Sequence, residues 1–461
     1  MALLGKLTLD LDPLRTSREF RYIFTARVVS LFGLGFLIVA VPLQVYEITA
    51  STAHVAAVST VLGLTTFGAT FAGGILADRY DRRRVIALAR GCAGVAFAVL
   101  AINAFLPDPR LWVVYLAAIV DGICGGISAT VLMSVTPTLL PRNKMAAAGA
   151  LMALTGDLGA MIGPALGGVV IASGGVGLAF ALAAATTAVT TFCITRLPAL
   201  PPPRSAGESP LRAVASGFRY AAGHRVIGGV LVCGFVTMLL AGWSVLIPEY
   251  AAEVLGVGAS VTGLLYAAPA VGAVLGALTS GWTGTVRWSG RAVFVGMLLS
   301  AAGLVGAGTT GAVVVTVAGL AAHGFGEAVA DILRYAIVQK YTAEEYGARI
   351  AGVWSAQVTA GASVGAVAAG VVAALVPIDA ALAVYGATGL VATAVLAVTL
   401  KRLRRFDEHA QPFRMPRTSS SRRHEKGVLR WQRPFVRSRC SRSASARGGT
   451  RVEDVTPGMR G

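Results

Sequence analysis

Four ionisable residues, His323, Glu327, Asp331 and Arg334, recur at intervals of four, four and three. On a helix that spacing gathers them into one stripe roughly 80° wide. The surrounding run is apolar, and a charge inside a membrane-crossing helix is costly enough that each such group is a functional candidate. One reading makes the stripe a proton or substrate path, with Arg334 neutralising one carboxylate. The other makes it an internally paired network that fixes helix packing near one membrane face. His323 taken alone reads as a hydrogen-bonded histidine. Arg27, Asp121 and Asp157 also fall inside apolar runs, Arg27 about two turns into the first. Either aspartate can load and release a proton, because loss of water favours the neutral acid, or can serve as a structural pair.

The elements that position these charges follow from composition. Of 461 residues, 55% are hydrophobic and 13% charged, against about a quarter charged in soluble domains. Lipid must therefore solvate much of the surface. Roughly 20 apolar residues in a helix cross a bilayer core, and runs of that length recur at 22–45, 54–77, 84–104, 111–134, 145–172, 176–197, 226–250, 260–282, 291–310, 312–339, 348–373 and 379–400. The chain thus reads as an all-α membrane protein with twelve transmembrane helices in two six-helix halves, 22–197 and 226–400. A cytoplasmic segment 1–21 precedes them. It carries Asp10, Asp12 and Glu19 and no compact apolar stretch, so the first run is expected to remain as a span rather than be cleaved.

Lys and Arg alternate with the spans. One set of loops holds Arg79 and Arg82 to Arg84, Arg142 and Lys144, Arg196 through Arg225, Arg287 and Arg291, then Lys340 and Arg349. The opposite loops show Arg110. By the positive-inside rule the basic side, with both termini, is cytoplasmic, in a plasma or inner membrane. The net charge of +18 does not indicate nucleic acid, since 17 Lys/Arg against 5 Asp/Glu lie from Lys401 onward. That tail, 401–461, has no useful apolar face and is expected to be disordered, with Arg402, Arg404 and Arg405 meeting anionic lipid. The central loop 198–225 contains Leu211, Val214 and Phe218 at helical spacing with Arg212 and Arg219 on another side, which predicts a short amphipathic helix at the membrane surface. Tyr250 near a span end is expected at the membrane interface. Five scattered cysteines indicate neither a disulfide framework nor a metal site. No nucleophile–base pairing or phosphate-cradling loop suggests an enzyme.

Two motifs complete the reading. Between the second and third spans runs Gly73-Gly74-Ile75-Leu76-Ala77-Asp78-Arg79-Tyr80-Asp81-Arg82-Arg83-Arg84, where an aspartate and arginines can hold helix ends by charge-assisted hydrogen bonds. In the fifth span Gly159, Gly163 and Gly167, with Gly168, make a flat strip for a neighbouring helix, and Pro164 removes a backbone donor. The first resembles the signature loop of the major facilitator superfamily, with Asp81 where that pattern usually has glycine. The second resembles its antiporter-type motif, the alternative being generic small-residue packing.

The resemblance implies the major facilitator fold, with a mid-membrane substrate site between halves, and a latch between the halves in which Gly74, Asp78, Arg79, Arg82 and Arg83 take part. Drug antiporters of the superfamily carry an arginine and a glutamine where Ala118 and Asp121 stand here, so their proton coupling does not transfer directly. Fragments such as Ala77-Asp78-Arg79-Tyr80, Ala89-Arg90-Gly91, Leu197-Pro198-Ala199-Leu200-Pro201-Pro202-Pro203 and Arg349-Ile350-Ala351-Gly352-Val353-Trp354 are similar to the enterobactin (siderophore) exporter branch. The expectation is siderophore export by proton-coupled alternating access, with multidrug or macrolide efflux as the alternative. Tyr46, Trp243, Tyr266, Tyr335 and Trp354 are candidate cavity aromatics for a flat ligand. No cofactor is expected beyond a proton gradient, and the expected partners are a small-molecule substrate and membrane lipid, with a monomer as the working unit.

Overall fold

The computed structural model describes residues 14–15, 17–139, 145–202, 210–281, 286–343 and 346–406. Among them there is no strand. The first four helices are α1 (Arg18–Thr49), α2 (Thr52–Arg79), α3 (Arg82–Ala104) and α4 (Leu111–Leu139). A long helical run, Met145–Thr195, is broken at Gly175, whose φ of 74° only glycine adopts without strain. It supplies α5 (145–174) and α6 (176–195). Then come α7 (Pro210–Gly223), α8 (Arg225–Leu240), α9 (Ala259–Leu278), α10 (Ser289–Ala307), α11 (Val313–Tyr341), α12 (Gly347–Leu375), α13 (Ile378–Thr399) and the short α14 (Lys401–Arg404).

Eleven described helical runs are long and apolar enough to cross a bilayer. Divided at Gly175, one of these becomes two, so twelve segments cross. Large apolar side chains cover the outside of the bundle, including Leu88, Val95, Ile102, Val314 and Leu375, all exposed. Such a surface is stable only against hydrocarbon.

Helix ends follow local chemistry. Ser17 caps α1 by accepting the Phe20 N–H at 3.1 Å. Asp81 caps α3 by accepting the Arg84 N–H at 3.2 Å. The seventh crossing is less regular than its apolar run suggests. After α8 the chain tightens into a 3-10 segment (Ala241–Val245), makes one turn (Ile247–Glu249) and widens into a π turn (Tyr250–Val254). Pro248 lacks an N–H, so the α ladder is one bond short there.

The core is shared at one end and divided at the other. Toward the end away from the basic loops, one apolar cluster joins both halves, from Val39, Val55 and Phe180 to Trp243, Leu246 and Leu304. At the basic-loop end each half has its own cluster, Ile23, Ile86, Val131 and Ile194 in the first and Ile227, Phe294, Leu333 and Ile350 in the second. Tyr250 is fully buried in the shared cluster, and its hydroxyl donates to the Ala307 carbonyl at 3.1 Å. The interfacial position expected for it is therefore corrected: the ring is enclosed by the shared cluster, where its hydroxyl still finds an acceptor.

Candidate functional site

Along α11 the sequence stripe becomes two linked pairs. Arg334 is wholly buried and donates to Asp331 Oδ1 at 2.7 Å. Its guanidinium lies 4.8 Å from the Trp354 ring centroid, and Trp354 meets Tyr335 edge-on. The Arg334 Nε and Nη2 have no hydrogen-bond partner. One turn further along, His323 Nε2 lies 3.7 Å from Glu327 Oε2. The other ring nitrogen of His323 sits 2.8 Å from Ser300 Oγ. Glu327 and Asp331 are 26% and 37% exposed. A carboxylate that open within a span must face water, a counter-ion or a ligand rather than lipid.

The first half holds a second cluster. Arg90, on α3, donates to Ser128 on α4 at 3.0 Å and to Ser30 on α1 at 3.2 Å. Its charge reaches Asp121 on α4 and Arg27 on α1. Arg27 keeps an unpartnered buried Nε, and a small cavity of about 60 Å³ lies among Arg27, Ser30, Arg90 and Thr190. The α5 backbone approaches Arg27 at Gly156, where a Cβ would stand 3.3 Å from its Nη2. Asp157 is the next residue on α5, but its side chain lies outside the described residues.

The α5 glycines are contact points. A Cβ at Gly159 would stand 2.7 Å from Leu31 Cβ, and one at Gly167 would stand 3.0 Å from the Gly35 carbonyl. Gly163 meets Gly35 directly. Gly168 faces the opposite half, since its Cβ would lie 2.8 Å from Gly263 Cα on α9. Pro164 contributes there too, its carbonyl standing 2.6 Å from the Cβ position of Gly263.

The loop from α2 to α3 is fastened within its own half. The Leu200 N–H donates to Asp81 Oδ2 at 3.2 Å, the Arg82 N–H to the Leu200 carbonyl at 3.0 Å, and Arg83 Nη1 to the Leu197 carbonyl at 2.9 Å. Arg82 Nε also faces the Ala77 carbonyl at 3.4 Å. Gly74 is half-buried, while Asp78 and Arg79 are exposed.

The five aromatic candidates divide among three places. Trp243 and Tyr266 are buried neighbours, 6.1 Å between ring centroids, and Trp243 also meets His323. Tyr335 and Trp354 accompany Arg334 beside a cavity of about 170 Å³. Tyr46 stands apart, at the end away from the basic loops, where its hydroxyl donates to Glu253. Beside it Thr52 donates to Glu249.

Sequence reasoning passed over Arg90, Gln357, Glu249 and Glu253. Arg90 had a signal, since it lies two turns inside the predicted third span and deserved the same scrutiny as Arg27. Gln357 is uncharged, and the two glutamates sit at a predicted span end, where charge is unremarked. Arg142, Lys144 and the tail beyond residue 406 lie outside the described residues, as do the side chains of Leu211 and Arg212. Among the described residues no three His, Cys, Asp or Glu converge as metal ligands.

Residues 8–430 match the family of transmembrane secretion effectors. The chain is 38% identical over 401 residues to the enterobactin exporter EntS of Citrobacter koseri, covering 86% of this chain and 95% of that one. It is 37% identical over the same length to the enterobactin exporter EntS of Shigella boydii serotype 18, with the same coverage. Among solved structures it resembles a mutant of the nucleoside transporter NupG (TM-score 0.67, 13% identity, 84% of this chain and 100% of that one). It also resembles a bacterial homologue of the human lysosomal transporter Spinster in an inward-facing, unoccupied conformation (TM-score 0.67, 14% identity, 84% and 95%). At such identities the solved structures speak for the fold alone.

Proposed function

The chain belongs to the transmembrane secretion effectors of the major facilitator superfamily, and from that membership we propose that it exports an enterobactin-like siderophore by proton-coupled alternating access. It is a multi-pass membrane transporter, not an enzyme. The observation that carries the siderophore reading is similarity to enterobactin exporters along nearly their whole length. The geometry supports alternating access, because the halves share a core at one end and keep separate cores at the other. With the basic loops in the cytoplasm, as their charge favours, this is a state loaded from the inside of an inner membrane. Both termini are then cytoplasmic.

Proton coupling rests on carboxylates held inside the bundle. Asp121 near Arg90, Glu327 beside His323, and Asp331 bonded to Arg334 each set a proton-binding carboxyl beside a basic side chain. Asp157 is a further candidate. A monomer contains both halves and both clusters, so no second copy is required. The test is comparative metabolite profiling of spent medium from deletion and wild-type strains, with drug susceptibility measured in parallel. Loss of a secreted catechol siderophore is expected; unchanged secretion with lost drug resistance assigns the chain to multidrug or macrolide efflux instead.

A further inference from the structure

A cavity of about 450 Å³ lies on the seam between the halves. Phe67 of α2 closes it from the first half, Val214 and Phe218 of α7 and Phe235 of α8 supply further walls, and Val353 and Gln357 of α12 form its floor. Above it α2 and α12 are in close contact: a Cβ at Gly63 would stand 3.1 Å from Ser363 Cβ. The cavity begins one turn beyond that contact, at Phe67, toward the basic-loop end.

Among the described residues that line it, Gln357 alone has a polar side chain. It is 5% exposed, and neither its amide nitrogen nor its amide oxygen has a hydrogen-bond partner. Beside it the unpartnered Nη2 of Arg334 converges on the same point: both groups crowd the position where a Cβ on Gly234 would sit. Buried amides and guanidinium nitrogens are rarely left unpaired, because each costs the desolvation of a strong hydrogen-bonding group. An acyl chain would leave that cost standing. A flat molecule with an apolar face and an edge that both donates and accepts would remove it.

We propose that this cavity is a loading site for the transported molecule, with the apolar walls holding an aromatic ring and Gln357, backed by Arg334, binding its polar edge. The assignment rests on the transport reading above and adds the place where a flat aromatic ligand with a hydrogen-bonding edge binds. Because Phe67 belongs to one half and the remaining walls to α7 and the other half, rocking of the halves opens or collapses the site. Binding here is thus coupled to the state in which the basic-loop end is divided.

The test uses the full chain purified in lipid nanodiscs and N-butyl-2,3-dihydroxybenzamide as probe, with binding measured calorimetrically. Gln357→Leu removes the amide at similar volume, and Ala360→Phe fills the cavity from its wall. The expected result is binding by the native chain, about tenfold weakening in Gln357→Leu, partial recovery in Gln357→Asn, and loss in Ala360→Phe, with all four chains monodisperse. No binding by the native chain, or equal binding by both Gln357→Leu and Ala360→Phe, would overturn the assignment. So would unchanged probe binding in Ala360→Phe together with loss of a co-purifying phospholipid, which makes the cavity a lipid site. If the deletion strain still secretes its catechol siderophore while probe binding stays dependent on Gln357, the siderophore reading falls and the loading site stands.

Discussion

The phenol of Tyr46, near the end of α1, donates to Glu253 Oε1 on the π turn of the seventh crossing at 2.7 Å. With Thr52 donating to Glu249 one turn away, it ties the first half to the second at the end away from the basic loops. Both acceptors lie in the stretch where α geometry fails, so the irregular backbone aims two carboxylates at the neighbouring half.

Tyr46→Phe keeps the ring and removes the donor. An exposed hydrogen bond contributes about 0.5–1.5 kcal/mol, so the closed-to-open ratio at that end is expected to fall by about two- to tenfold. A single cysteine at Val55, buried in the shared core, should then react faster with a membrane-impermeant maleimide. Equal labelling rates in the native and Phe backgrounds count against a gate at this pair.

A second expectation concerns Gly168 and Gly263, whose backbones leave no room for a side chain between the halves. Gly263→Val forces α9 away from α5, at a cost of about 1–3 kcal/mol for overpacking. Transport should be lost while the chain still inserts and purifies. Gly125→Ala is the control, since nothing lies within 4 Å of its Cβ position. If Gly263→Val transports normally, α5 and α9 need not approach during the cycle.

The two acidic clusters should respond differently to neutralisation. Asp331→Asn leaves Arg334 buried without its anion, and loss of a hydrogen bond between charged groups costs about 1.5–3 kcal/mol. Its melting temperature should fall along with its transport. Asp121→Asn leaves the bonds from Arg90 to Ser128 and Ser30 in place. It should abolish flux driven by a pH gradient in reconstituted vesicles at a nearly unchanged melting temperature. Gradient-driven flux at the native rate in Asp121→Asn would remove that residue from the proton path.

These contrasts mark what was legible in the residues. Hydropathy located the crossings found among the described residues, since spanning helices must satisfy their own backbone and so betray themselves by length. The i, i+3 pairing of Asp331 with Arg334 was legible because helical geometry alone brings them together. Gly168 against Gly263, and Tyr46 against Glu253, were not, because tertiary packing alone joins residues 95 or 207 positions apart. Gln357 was invisible for another reason: an uncharged amide in an apolar run becomes informative only once its surroundings are seen to leave it unpaired.

The last expectation separates two aspartates three residues apart. Asp81 caps α3 and accepts the Leu200 N–H. Asp81→Ala removes an N-cap worth about 1 kcal/mol and one tether to the chain leaving α6. The melting temperature should drop by a few degrees, with transport per folded molecule retained. Asp78 is exposed at the end of α2, so Asp78→Ala should leave the melting temperature unchanged. If the loop acts as a latch in the transport cycle, that same variant should slow flux severely. The two measurements together assign stability to one carboxylate and switching to the other; a stability loss in Asp78→Ala, or full flux, would remove the latch from Asp78.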